Sequence, residues 1–223
     1  MKHSLLGLAL LAAAALPAHA DIRITEAAPY ASGNTAYGAD WFELTNTGSS
    51  AVDITGWRVD DSSDSFASSI LLRGITSIAA GQSVVFIESN TSGSNDATRQ
   101  SGFLSAWFNG AAPAGFTMGF YGGSGIGLST GGDALNIFDA AGTLVTGVRF
   151  GETTAGVSFD NAAGLTGNIS TLSSLGVNGA FRSFDGGEIA SPGAVAAVPE
   201  PETYAMLLVG LGVIGALARR RRA

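Results

Sequence analysis

Enzymes and metal centres draw mostly on imidazole, thiolate or paired carboxylates, and only the last of these is present in the central part of the 223-residue chain. There is no cysteine, and the two histidines, His3 and His19, both fall within the first twenty residues. Residues 21–198 therefore lack a Ser-His-Asp or Cys-His nucleophile, a disulfide and the usual nitrogen and sulfur ligands of zinc. Two kinds of chemistry remain. Glu26 and Glu43 offer a carboxylate pair of the glycosidase type, whose outcome depends on a separation that sequence does not give. Asp60, Asp61 and Asp64, in Asp-Asp-Ser-Ser-Asp-Ser, could collect around Ca²⁺, which favours six to eight oxygen ligands. That run lacks the EF-hand spacing, glycine and closing glutamate, so a solvated turn is the simpler expectation.

Aromatic residues supply a third possibility, stacking on sugar rings. Trp41 and Trp57 stand in apolar strand-like runs and are expected in the core. Trp107 and Phe108 lie in residues 89–115, a stretch rich in Ser, Asn and Ala that reads as a long irregular connection; there they are either a sugar contact or a loop packed on the domain. Gly122-Gly-Ser-Gly-Ile-Gly127 has no following Lys-Ser/Thr pair, so it reads as turn glycine rather than a phosphate loop. Asn90-Thr-Ser92 and Asn168-Ile-Ser170 fit a glycosylation pattern.

The ends of the chain determine where any such site would operate. Lys2, an apolar stretch over residues 5–16 and Ala18-His19-Ala20 form the three parts of a secretory signal, with cleavage expected between Ala20 and Asp21. At the other end Pro199-Glu200-Pro201 precedes an apolar segment at about residues 204–218 and the cluster Arg219, Arg220, Arg221 and Arg222. Fifteen residues at 1.5 Å each make about 22 Å of helix, short for a hydrocarbon core of about 30 Å. Under the positive-inside rule the arginines stay cytoplasmic and everything before Pro199 lies outside. The tail resembles the PEP-CTERM sorting signal: a Pro-Glu-Pro motif, one hydrophobic helix and a terminal arginine cluster. That resemblance implies recognition by an exosortase-type membrane enzyme, general secretion machinery upstream, an inner-membrane intermediate, and delivery to the cell surface or extracellular matrix.

Between the signals, residues 21–198 carry six arginines, no lysine and sixteen Asp or Glu, a formal charge of −10. Binding to phosphate backbones relies on positive charge that releases counterions, so nucleic acid is excluded as a partner and anionic lipid is disfavoured. The stretch is long enough for one domain with its own core. Its apolar runs are short and rich in Val, Ile, Phe and Leu, at residues 22–24, 41–44, 54–59, 84–87, 116–121, 134–138 and 144–150. Glycine punctuates them throughout, and no long amphipathic helix is apparent. Residues 134–150 read as a hairpin closed by Asp139-Ala-Ala-Gly142, with Leu144, Thr146, Val148 and Phe150 on one face.

These runs predict an all-β, antiparallel sandwich or barrel. Their wording also resembles the lamin-tail domain, a family with an immunoglobulin-like β-sandwich. The resemblance runs through Asp40-Trp-Phe-Glu-Leu-Thr-Asn46, Val52-Asp-Ile-Thr-Gly-Trp57, Ile78-Ala-Ala-Gly81, Gly127-Leu-Ser-Thr-Gly-Gly-Asp133 and Ser191-Pro-Gly193, in family order. It implies a structural role for Glu26 and Glu43, tying strands to neighbouring loops, and it supplies no catalytic residue. The expected organisation is a signal at 1–20, an immunoglobulin-like sandwich at 21–193, a linker at 194–198 and a sorting signal at 199–223. The expected function is a non-catalytic structural or adhesive module, with exopolysaccharide as a partner and no cofactor. The alternatives are a carbohydrate-binding module using Trp107 and Phe108, or a carboxylate or calcium-dependent polysaccharide hydrolase.

Overall fold

A computed structural model describes residues 21–31 and 33–193. In chain order the elements are β1 (Ile22–Ala28), β2 (Trp41–Asn46), β3 (Val52–Asp53), β4 (Arg58–Asp60), β5 (Ile70–Leu71), β6 (Ser77–Ile78) and β7 (Ser83–Ser89). They continue with α1 (Asp96–Phe108), β8 (Met118–Gly122), β9 (Asp133–Phe138), β10 (Leu144–Phe150), β11 (Phe159–Asp160), β12 (Gly167–Ile169), β13 (Phe181–Arg182) and β14 (Ile189–Ala190). Two five-stranded sheets result, ordered β11-β1-β2-β7-β8 and β12-β10-β9-β4-β5. β3 with β6 and β13 with β14 make small antiparallel ribbons.

The expected sandwich core lies where the two sheets meet, and side-chain alternation explains how it is filled. Phe42 and Leu44 of β2 with Val84 and Phe86 of β7 join Val59, Leu135, Ile137, Val148 and Phe150 of the other sheet. The residues between them point the opposite way, so Trp41, Val85 and Ile87 enter a second core on the outer face of the first sheet. Phe103, Ala106 and Trp107 of α1 cover that face. Every residue of β2 is consequently buried, the polar Glu43, Thr45 and Asn46 included.

Three expectations change. The connection at 89–115 is not irregular, because it contains α1, a helix of 13 residues. Its buried stripe is only Phe103, Ala106 and Trp107, and Gly102 and Ser105 lie within it, so the helical period is faint. The helix ends where Asn109 turns left-handed at φ 53° and the Gly110 N–H donates to the Leu104 carbonyl at 2.9 Å. Second, the sheets are mainly but not wholly antiparallel. α1 is the crossover that lets β8 run parallel to β7, and β12 runs parallel to β10. Third, Leu144 is 54% exposed, because the ladder between β9 and β10 slips between Leu144 and Thr146. Thr146, Val148 and Phe150 keep the inward face.

One glycine has an evident packing reason. A Cβ on Gly119 of β8 would stand 2.5 Å from the Phe86 ring and 2.8 Å from the Arg73 carbonyl. Only hydrogen fits there.

Candidate functional site

The acidic turn after β4 distributes its carboxylates instead of gathering them. Asp60 is buried and accepts hydrogen bonds from the Ser63 hydroxyl at 2.8 Å and the Ser65 N–H at 2.8 Å. Asp61 accepts from the Ser63 N–H at 3.2 Å, and burial with the charges of Asp133 and Asp60 pushes its carboxyl up. Asp64, left-handed at φ 51°, takes the Asn136 amide at 2.6 Å and pairs with Arg149. Among the described residues no group of three or more His, Cys, Asp or Glu is placed to hold a metal ion. The turn fastens β4 to β9 and β10.

Trp107 is 2% exposed, so its ring is closed to a sugar. It stacks on Phe103 at 6.0 Å and meets Phe181 and Trp41 edge-on at 5.4 and 6.1 Å. Phe108, one residue on, is half-buried and borders a shallow cleft of about 360 Å³ with Pro113, Ala114, Phe116, Phe181, Pro192 and Gly193. None of these side chains carries a hydrogen-bonding group, whereas sugar sites need polar groups placed to fix the hydroxyls.

Glu26 and Glu43 are directly opposed on β1 and β2, and both are buried, at 0% and 1% exposure. They cannot reach an outside substrate. Glu26 Oε1 accepts from the Ser158 hydroxyl at 2.6 Å, the Ser173 hydroxyl at 3.2 Å and the Ser191 N–H at 2.8 Å. Glu43 accepts from the Thr25 hydroxyl at 2.7 Å and the Gly193 N–H at 2.7 Å. The two carboxyls thus accept backbone hydrogen bonds from Ser191 and Gly193, at the end of the described residues. Burial pushes Glu26 up to about 7 against the hydrogen bonds that favour its anion. Burial, then the charge of Glu26, pushes Glu43 up to about 8.

Sequence reasoning passed over a second buried carboxyl centre. Glu188 Oε2 accepts from the Tyr30 and Tyr37 hydroxyls at 2.9 and 2.6 Å, and the Trp41 indole N–H donates to the Tyr37 oxygen at 3.1 Å. Burial raises Glu188 to about 7 although both tyrosines oppose the rise. Residues some 150 positions apart meet here, and no local pattern around Glu188 signals it.

Asp21, the expected mature N-terminus, pairs with Arg23 at 2.8 Å, and its carbonyl accepts from the Thr47 N–H at 2.8 Å. Ala18, Ala20, Pro199, Glu200, Pro201, the apolar segment at 204–218 and Arg219 to Arg222 lie outside the described residues. Among the described residues no helix is long and apolar enough to cross a membrane.

Two family models match the chain: Lamin Tail Domain over residues 16–152 and the PEP-CTERM protein-sorting motif over residues 197–222. No match was found among curated proteins. The lamin tail match ends at residue 152, so β11 to β14 and the carboxyl-held segment at 188–193 come after it.

Proposed function

Since the chain belongs to the lamin tail domain family and carries a PEP-CTERM sorting motif, which implies an exported, exosortase-processed protein anchored in the membrane before cleavage, we propose that it is a non-catalytic structural or adhesive module of the cell surface or extracellular matrix. The observation that carries this reading is a sorting motif that begins at residue 197, four residues after Gly193, the last described residue of the β-sandwich. Fold and chemistry agree with it. The lamin tail immunoglobulin-like fold is typically non-catalytic. Its opposed glutamates are enclosed, and its acidic turn is occupied by internal hydrogen bonds. Exopolysaccharide is the proposed neighbour of the delivered domain, met through its acidic surface rather than through a pocket. Export begins at the signal over 1–20 through the general secretion machinery, and an exosortase-type enzyme then reads Pro199, Glu200 and Pro201.

Substitution Glu200→Ala tests the sorting step, because it removes the charge of the motif and leaves the apolar segment and Arg219 to Arg222 intact. In a strain that has the sorting enzyme, export across the inner membrane should continue while uncleaved, membrane-bound precursor accumulates. Fractionation and mass spectrometry of the C-terminus read the outcome. Normal release of a correctly sized product would make the tail a simple anchor.

A further inference from the structure

The segment that leaves the domain is held by carboxyls rather than by a long strand. β14 has two residues and pairs with β13, also of two, and Ile189 adds a bridge to Val157. Beyond β14 the backbone is held by carboxylate oxygens: Ser191 N–H to Glu26 at 2.8 Å and Gly193 N–H to Glu43 at 2.7 Å. Gly193 has φ +77°, and a Cβ there would stand 2.7 Å from the Phe116 ring, so the exit path is closely fitted.

The two carboxyls are neighbours by construction. Residues directly opposed on adjacent antiparallel strands have Cβ atoms about 4.5–5.5 Å apart on one face of the sheet, and Glu26 and Glu43 are such a pair. The ion pairs among the described residues are Arg23 with Asp21, Arg73 with Asp96 and Arg149 with Asp64, so no arginine neutralises either glutamate. Thr25, Thr45 and Ser83 face the pair from β1, β2 and β7 through a chain of hydroxyl contacts at 2.7 to 2.8 Å. Ser158, Ser173 and Ser191 face it from the loops. Tyr30 also senses the pair, feeling the charge of Glu26 and binding Glu188; Tyr37 and Asp185 act on Glu188 in turn. Glu26 Oε2 is buried without a hydrogen-bond partner.

We propose that Glu26 and Glu43 form a proton-held latch on residues 188–193, and that full ionisation of the pair releases this segment while the two sheets stay folded. One negative charge is well served by the surrounding hydroxyl and amide donors, and the remaining proton keeps the second carboxyl neutral. Two charges side by side in a low-dielectric site repel, and admitting water is the way to relieve them. β1 and β2 cannot part without dismantling a ladder of six paired residues. The closing segment gives way instead, since local opening follows the least-supported element. Burial raises both carboxyls, which brings the transition into the range above neutrality. Release would lengthen the chain between the sandwich and Pro199, so that the enzyme could engage the motif farther from the domain; this consequence rests on the sorting reading, whereas the latch does not.

Amide hydrogen exchange on the full chain in lipid nanodiscs tests the latch directly. After correction for intrinsic rates, protection of the Ile189, Ser191 and Gly193 amides relative to Leu135 and Ile137 of β9 should fall at least tenfold between about pH 6 and about pH 9, since each proton released on opening is worth up to tenfold per pH unit. Glu43→Gln keeps an acceptor for Gly193 and a donor for Thr25 but removes one charge, and should flatten that dependence. Glu188→Gln should remove only the share that Glu188, itself within the segment, contributes and leave the larger part in place. The latch is overturned if the two sets of amides lose protection in parallel, if neither does, if Glu43→Gln retains the pH dependence, or if Glu188→Gln abolishes it. The wild-type comparison stands even if a variant fails to fold. Uncleaved Glu200→Ala precursor should show the same exchange pattern, which separates failure of the latch from failure of the sorting reading.

Discussion

Trp107 is the residue at which a binding role and a packing role make opposite forecasts, and Trp107→Ala separates them. Its ring is 2% exposed and touches Phe103, Phe181 and Trp41, from α1, β13 and β2. A large aromatic side chain buries roughly 150–250 Å², and at about 25 cal/mol per Å² its removal from water is worth about 4–6 kcal/mol. Truncation to alanine with partial collapse of the site should cost about 3–5 kcal/mol, a large share of the roughly 5–15 kcal/mol that holds an ordinary domain together. Urea unfolding of the mature protein, followed by far-ultraviolet circular dichroism, should show the midpoint falling with little change in slope. Trp107→Phe keeps a ring against Phe103 and Phe181 and should lose clearly less. A loss below about 1 kcal/mol, the size of an ordinary point substitution, would refute the packing argument, above all if binding to exopolysaccharide fell at the same time.

Acid should favour the fold. Glu26, Glu43 and Glu188 all have native values raised from 4.5, so between about pH 4.5 and 8 the native state holds more protons than the unfolded chain and stability falls as pH rises, by up to about 1.4 kcal/mol per pH unit for each proton. Urea midpoints at about pH 5 and pH 8 check this, and a higher midpoint at pH 8 would contradict it. Gly119→Ala should destabilise by about 1–3 kcal/mol through overpacking against Phe86 and the Arg73 carbonyl; a neutral effect in the same assay would mean that β8 can shift away.

The sandwich was legible where strand alternation met strong turn chemistry. Asp139 accepts the Ala141 and Thr143 N–H groups at 2.9 and 2.8 Å, closing the hairpin its sequence announces. Trp41 and Trp57 went to the core as their neighbours suggested, although Ile54 to Trp57 form a turn and the strand begins only at Arg58. α1 was not legible, because three apolar contacts among serine and glycine leave no clear period and its stability comes from the sheet beneath it. Nor did sequence show that Glu26 and Glu43 are opposed. Register across the connection from Ala28 to Trp41 is set by the whole ladder, and the slip between Ile24 and Glu26 contributes to it. The carboxyl at Glu188 depends on still longer-range packing.

The order of the sheets bears on how copies of this domain meet when crowded together. The outermost strands are β11 and β5 with two residues each, β12 with three, and β8 with five. β8 is already engaged, since Arg73 and Phe120 exchange both backbone hydrogen bonds at 2.9 Å. Growth of a fibril by strand addition needs a run of unpaired N–H and C=O groups several residues long. Among the described residues these sheet margins therefore offer an incoming strand little template for cross-β growth.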